Sequence, residues 1–126
     1  MTLTEKLMGA QLISINDDSI VIRKNSKIYT LIIDDSDEGD CCGYNEIETN
    51  LYISSEEINR NPIITNVMIT EDEDGCSEHC LITLFGESKP MAELYSESGS
   101  GSGWGYGACV EIKCLQTTES WIITSW

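Results

Sequence analysis

The sequence predicts a mainly β (α+β) domain, an antiparallel sheet or sandwich with one or two short helices. Three observations carry this. Short β-branched runs recur along the chain, as at Ser19 to Lys24 and Lys27 to Ile33. Within the second run Ile28, Thr30 and Ile32 alternate with Tyr29, Leu31 and Ile33, the period at which a strand sends side chains to opposite faces. Turn residues separate the runs, Asp17-Asp18 and Asn25-Ser26 among them. The 126 residues read as a single domain, 1–126, with no internal repeat. A chain of this size can bury roughly two-thirds of its unfolded surface, so a real core is available.

Taken in order, Thr2 or Thr4 caps a short helix through Met8 that Gly9 stops. Strands over Gln11 to Asn16, Ser19 to Lys24 and Lys27 to Ile33 form a meander. Asp34 to Asp40, five acids in seven residues, reads as a solvated loop. It makes a poor calcium loop, since no Glu stands at the closing position. Ser54 or Ser55 before Glu56-Glu57 starts a second brief helix, ended near Asn61-Pro62. Ile63 to Thr70 is a strand, and 71–80 is a hairpin-like loop with Gly75 at its tip. Leu81 to Phe85 and Met91 to Ser96 are strands around a turn at Gly86 to Pro90.

Ser96 to Ser102 has a linker's composition, but the residues after it read as a strand. Gly103, Gly105 and Gly107 alternate with Trp104, Tyr106 and Ala108, and the pattern runs on through Val110, Ile112 and Cys114. Glycine in a strand marks close approach of a ring or backbone. This register sends Cys114 to the core and puts Cys109 on the face of Glu111 and Lys113. Glu119 to Trp126 is a last strand or short helix with Trp121 and Ile123 inward.

Charge narrows the function. With 22 acids against 7 bases the net charge is −15. Direct binding to nucleic acid is excluded as a reading, because Lys and Arg supply that affinity. The field also repels anionic membranes and attracts basic proteins. Two acidic patches are candidates for partner contact: Asp34, Asp35, Asp37, Glu38 and Asp40, and Glu71, Asp72, Glu73 and Asp74. Carboxylates along an edge can meet the Arg and Lys that elsewhere hold phosphates; the plainer reading is solubility. Met1 to Ala10 carries Glu5 and Lys6 and no apolar segment of a signal peptide, and no apolar run has membrane-spanning length. The expected setting is a cytoplasm in which thiols stay reduced.

There, clustered Cys and His favour metal. The single histidine sits in Cys76-Ser77-Glu78-His79-Cys80, and Cys41-Cys42 follows the first acidic run. Structural zinc takes four thiolate or imidazole ligands, and Cys76 with His79 has a usable spacing. The candidate ligands are Cys41, Cys42, Cys76, His79 and Cys80, with Cys109 and Cys114 in reserve. Such a zinc would tie the two acidic loops together. The alternatives are reduced core and surface cysteines, or disulfides.

Enzyme readings are weaker. Gly103 to Ala108 matches a G-x-G-x-x-A pattern but lacks a helix after it and a cation for phosphate. His79 beside Cys80 lacks an orienting third group, and a zinc-dependent hydrolase with Glu78 as base would rest on one histidine. No catalytic residue is assigned.

Asp40-Cys41-Cys42-Gly43-Tyr44-Asn45, Asn61-Pro62-Ile63-Ile64-Thr65-Asn66-Val67, Ile82-Thr83-Leu84-Phe85-Gly86-Glu87 and the run from Gly101 to Val110 resemble an uncharacterised family of small proteins from phages and Gram-positive prophages. Size, acidity and the suspected zinc also resemble an anti-CRISPR protein of streptococcal phages that inhibits the type II nuclease Cas9. That resemblance implies a bacterial host cytoplasm, Cas9 as partner and blocked loading of target DNA. The alternative is an acidic, zinc-binding phage accessory protein with another host partner.

Overall fold

A computed structural model describes residues 1–37, 43–100 and 107–126. Two antiparallel sheets and two five-residue helices make up the described chain. The helices are α1 (Leu3–Leu7) and α2 (Ser55–Asn59). The strands are β1 (Gln11–Ile15), β2 (Ser19–Lys24), β3 (Lys27–Asp37), β4 (Tyr44–Leu51), β5 (Asn66–Glu73), β6 (Ser77–Gly86), β7 (Lys89–Gly99), β8 (Ala108–Cys114) and β9 (Ser120–Ser125). One sheet runs β1-β2-β3-β8-β9 and the other β4-β7-β6-β5. The expected mainly β, antiparallel architecture with short helices is what the chain adopts.

Local chemistry explains the punctuation. Thr2 caps α1 through a reciprocal pair of hydrogen bonds with Glu5, a capping box. Asn25-Ser26 and Glu87-Ser88 have positive φ at both positions. That is the backbone of a two-residue hairpin turn whose twist matches its strands. The Asn16 carboxamide accepts from the amides of Asp18 and Ser19 and shapes the β1–β2 turn.

One core fills the space between the sheets. Leu12, Ile20, Ile22, Leu31, Val110 and Ile112 come from the first sheet, Ile82, Leu84 and Leu94 from the second. Alternation in β8 buries Ala108, Val110, Ile112 and Cys114 and leaves Lys113 outside, as its pattern predicts. The register of β9 slips between Val110 and Glu111, which adds a residue to β9 and buries both Ile123 and Thr124. At one end the core is polar: Ser96 and Ser98 bond to Thr124 at 2.5 and 2.8 Å, and Ser98 also donates to Asn45. Lys6 is buried too, 2.7 Å from Glu119 and over the Tyr29 ring.

Several boundaries differ from expectation. Asp34 to Asp37 is not loop but strand: β3 continues with Asp34 opposite Glu111 and Asp37 opposite Ala108. Lys113 offsets that charge by reaching Asp34 at 2.9 Å. Residues 71–80 are mostly strand as well, with the turn confined to 74–76. β5 starts at Asn66 because Ile63 and Ile64 are used elsewhere. Ile63 bridges Gln11, and buried Ile64 exchanges backbone bonds with Gly9 and Ala10, joining this segment to the first sheet. β7 runs on to Gly99, so the serine-rich stretch begins as strand. The last element is a strand, not a helix. The alternating Gly103 to Tyr106 lies outside the described residues.

Candidate functional site

β6 faces the core with Cys80, Ile82 and Leu84, so Ser77 and His79 lie on the opposite, outer face of the four-stranded sheet. Register places His79 opposite Glu97 and Ser77 opposite Gly99 on β7, and Tyr44 of β4 opposite Gly99. Room for Tyr44 to cover Ser77 exists because residue 99 has no side chain. A Cβ there would lie 2.7 Å from the Tyr44 ring and 2.8 Å from the Cys76 carbonyl oxygen.

These residues form one chain of polar contacts. Asp74 accepts from the amides of Cys76 and Ser77, both at 2.8 Å, and from the Ser77 hydroxyl. Ser77 Oγ lies 2.7 Å from His79 Nε2, and Tyr95 Oη lies 3.2 Å from His79 Nδ1. Tyr95 donates to Glu97 at 2.5 Å, and Tyr44 donates to the other Glu97 oxygen. Each hydroxyl that touches the His79 ring also donates to a carboxylate, Ser77 to Asp74 and Tyr95 to Glu97. Asp74 and Glu97 face the ring from either side at 3.5 and 3.6 Å.

Hydrogen bonds from Tyr44 and Tyr95 hold the Glu97 carboxyl below its ordinary value, with His79 adding to the effect. Asp74 is lowered chiefly by the Cys76 amide. Burial, then the bond to Glu97, pushes the Tyr95 phenol up. The arrangement braces a hairpin: Ser77 is 3% exposed and its hydroxyl donates to Asp74.

The expected zinc ligands fall in different places. Cys41 and Cys42 lie outside the described residues. Cys76 is exposed on the turn. Both ring nitrogens of His79 are engaged. Cys80 points into the core, on the opposite face from His79, and burial with nearby Glu71 and Glu78 pushes its thiol up to about 11. A cysteine ligates a metal as its thiolate. Among the described residues no group of three or more His, Cys, Asp and Glu converges as a metal site. The reserve pair is likewise split, Cys114 buried and Cys109 on the outward face.

The two acidic patches also fare differently. In the first, Asp34 is paired with Lys113 and Asp35 is exposed on β3; Asp37 contributes backbone pairing, and Glu38 and Asp40 lie outside the described residues. In the second, Glu71, Asp72 and Glu73 are exposed on β5, the outermost described strand of its sheet. Glu71, Asp72, Glu73 and Glu78 enclose an open depression of about 310 Å³. None of these four takes part in an ion pair among the described residues, and Glu78 accepts from the Ser125 amide.

Sequence reasoning missed Ser77, Tyr95, Glu97 and Tyr44, and also Glu46 and Glu48, exposed on the outer face of β4. The available signal was spacing by two: Ser77 with His79, and Tyr95 with Glu97, each put polar partners on one face of a strand.

The chain matches no protein-family model, and no curated protein or solved structure matches it.

Proposed function

We propose that this protein is a stoichiometric binder of a basic, nucleic-acid-handling protein and that it competes with nucleic acid for the partner's cationic groove. The observation that carries the reading is the β5–β6 hairpin. It presents Glu71, Asp72, Glu73 and Glu78 without ion-pair partners among the described residues, on strands braced by the His79 network. Carboxylates held in place can form charge-assisted bonds with Arg and Lys without first being ordered. The exposed acids Glu46 and Glu48 add to the field on the outer face of the same sheet.

The sequence resemblance makes type II Cas9 the first partner to test, in a bacterial cytoplasm during phage infection. The reading expects Cas9 cleavage to fall in proportion to the protein added and to stop near one equivalent. Target DNA added before the protein should protect the nuclease. Inhibition that is catalytic in the protein, or undiminished after DNA loading, would contradict it. A structural zinc belongs to the proposal as a tie between Cys76 and the Cys41-Cys42 segment, tested by elemental analysis of purified protein.

A further inference from the structure

We infer that β5 is a docking edge that takes up an extended basic segment of a partner as an added antiparallel strand. This rests on the reading of a basic partner and says how that partner is held.

The backbone of β5 carries the inference. In an antiparallel pair, residues alternate between exchanging hydrogen bonds with the neighbouring strand and turning those groups away. The Asp74 amide donates to the Ser77 carbonyl at 3.0 Å, which fixes the phase next to the turn. The β5–β6 register runs without a slip from Glu73–Glu78 to Asn66–Phe85. The even-numbered residues of β5 therefore bond to β6, and Val67, Ile69, Glu71 and Glu73 turn their amides and carbonyls outward. Two side chains confirm that phase. The Val67 amide donates to its neighbour Asn66 Oδ1 at 3.0 Å, and the Glu73 amide donates to Asp72 Oδ1 at 2.9 Å. Both ends of the edge are thus closed by the preceding residue. Ile69 and Glu71 follow Met68 and Thr70 and have no such cap, so among the described residues two consecutive outward amides and their carbonyls stay open.

An open edge is a template for strand pairing. Its side chains select the occupant. Residues opposite one another in a sheet share a face. An incoming strand would set one residue beside half-exposed Ile69 and others beside Glu71 and Glu73. The matching sequence carries Lys or Arg at alternate positions followed by an apolar residue. A second copy of this chain would instead bring acids against acids at net charge −15 each.

The probe is the peptide acetyl-Thr-Lys-Thr-Lys-Thr-Val-Thr-amide, titrated into the full-length protein and followed by amide NMR. The inference expects the Ile69 and Glu71 amides to shift most and to slow in hydrogen exchange. N-methylation of the peptide's Lys amides, which would face β5, should weaken binding at least about tenfold, whereas N-methylation of the Thr amides should leave it unchanged. Ile69→Pro removes an outward amide and should abolish the effect. Equal binding by both methylated peptides would mean that charge alone attracts the segment, and would overturn strand addition while leaving the acidic-binder reading intact. Absence of binding by the unmodified peptide would overturn it as well. Edge-dependent peptide binding without any effect on Cas9 would defeat the Cas9 assignment and not this inference.

Discussion

Ser77 Oγ lies 2.7 Å from Nε2 of His79, two residues along the same face of β6. The contact links the Asp74 turn to Tyr95 and Glu97 on the neighbouring strand, so the acidic tip is held by side chains as well as by the backbone ladder. Tyr95→Phe removes the hydroxyl shared by His79 and Glu97. We expect a loss of about 1–2 kcal/mol in denaturant unfolding and faster exchange at the hairpin amides. A variant as stable and as protected as the parent would show that the network braces nothing.

Acid should loosen the same network. Glu97 has a folded-state value held below its ordinary 4.5, first by Tyr44 and then by Tyr95. A depressed carboxyl contributes stability that is present above the unfolded value and disappears as pH falls through the folded one. Stability should therefore decline as pH drops below about 4.5, and Glu97→Gln should make that decline shallower. An identical acid limb in the variant would remove Glu97 from the explanation.

Thiol chemistry separates the cysteines. Cys76 is exposed, whereas Cys80 and Cys114 are buried and the Cys80 thiol is pushed up to about 11. In chelator-treated, metal-free protein at neutral pH a disulfide reagent should modify Cys76 quickly, and Cys80 and Cys114 only after unfolding. Rapid modification of Cys80 in the folded protein would contradict its place in the core.

Zinc is tested through the same residue. If Cys76 and the Cys41-Cys42 segment share a zinc, purified protein carries about one per chain, and Cys76→Ser loses it together with unfolding cooperativity. Metal content unchanged in the variant would exclude Cys76 as a ligand.

Much of the fold was legible because burial follows alternation. Val110, Ile112 and Cys114 face inward, and the turns at Asn25-Ser26 and near Glu87-Ser88 separate strands. Asp34 to Asp37 misled because local charge argues for a loop, whereas pairing with β8 and the distant Lys113 holds a strand. The start of β5 was hidden because Ile63 and Ile64 suit a strand but dock on the other sheet. The site was half legible. Histidine, serine and acids stood together in the sequence, but Tyr95 and Glu97 join them only through the β6–β7 register. Nearness in sequence pointed to His79 with Cys80, and the strand period turns those two side chains apart.

The most direct test of the anionic hairpin is the affinity of Cas9 for the parent protein and for Glu71→Gln/Asp72→Asn/Glu73→Gln, each at low and physiological ionic strength. That change in salt shortens the screening length from about 30 to 8 Å. The account predicts one-to-one binding by the parent that weakens with salt, and binding by the variant that is at least about tenfold weaker and less dependent on salt. Equal affinity for both proteins, with no response to salt, would contradict it.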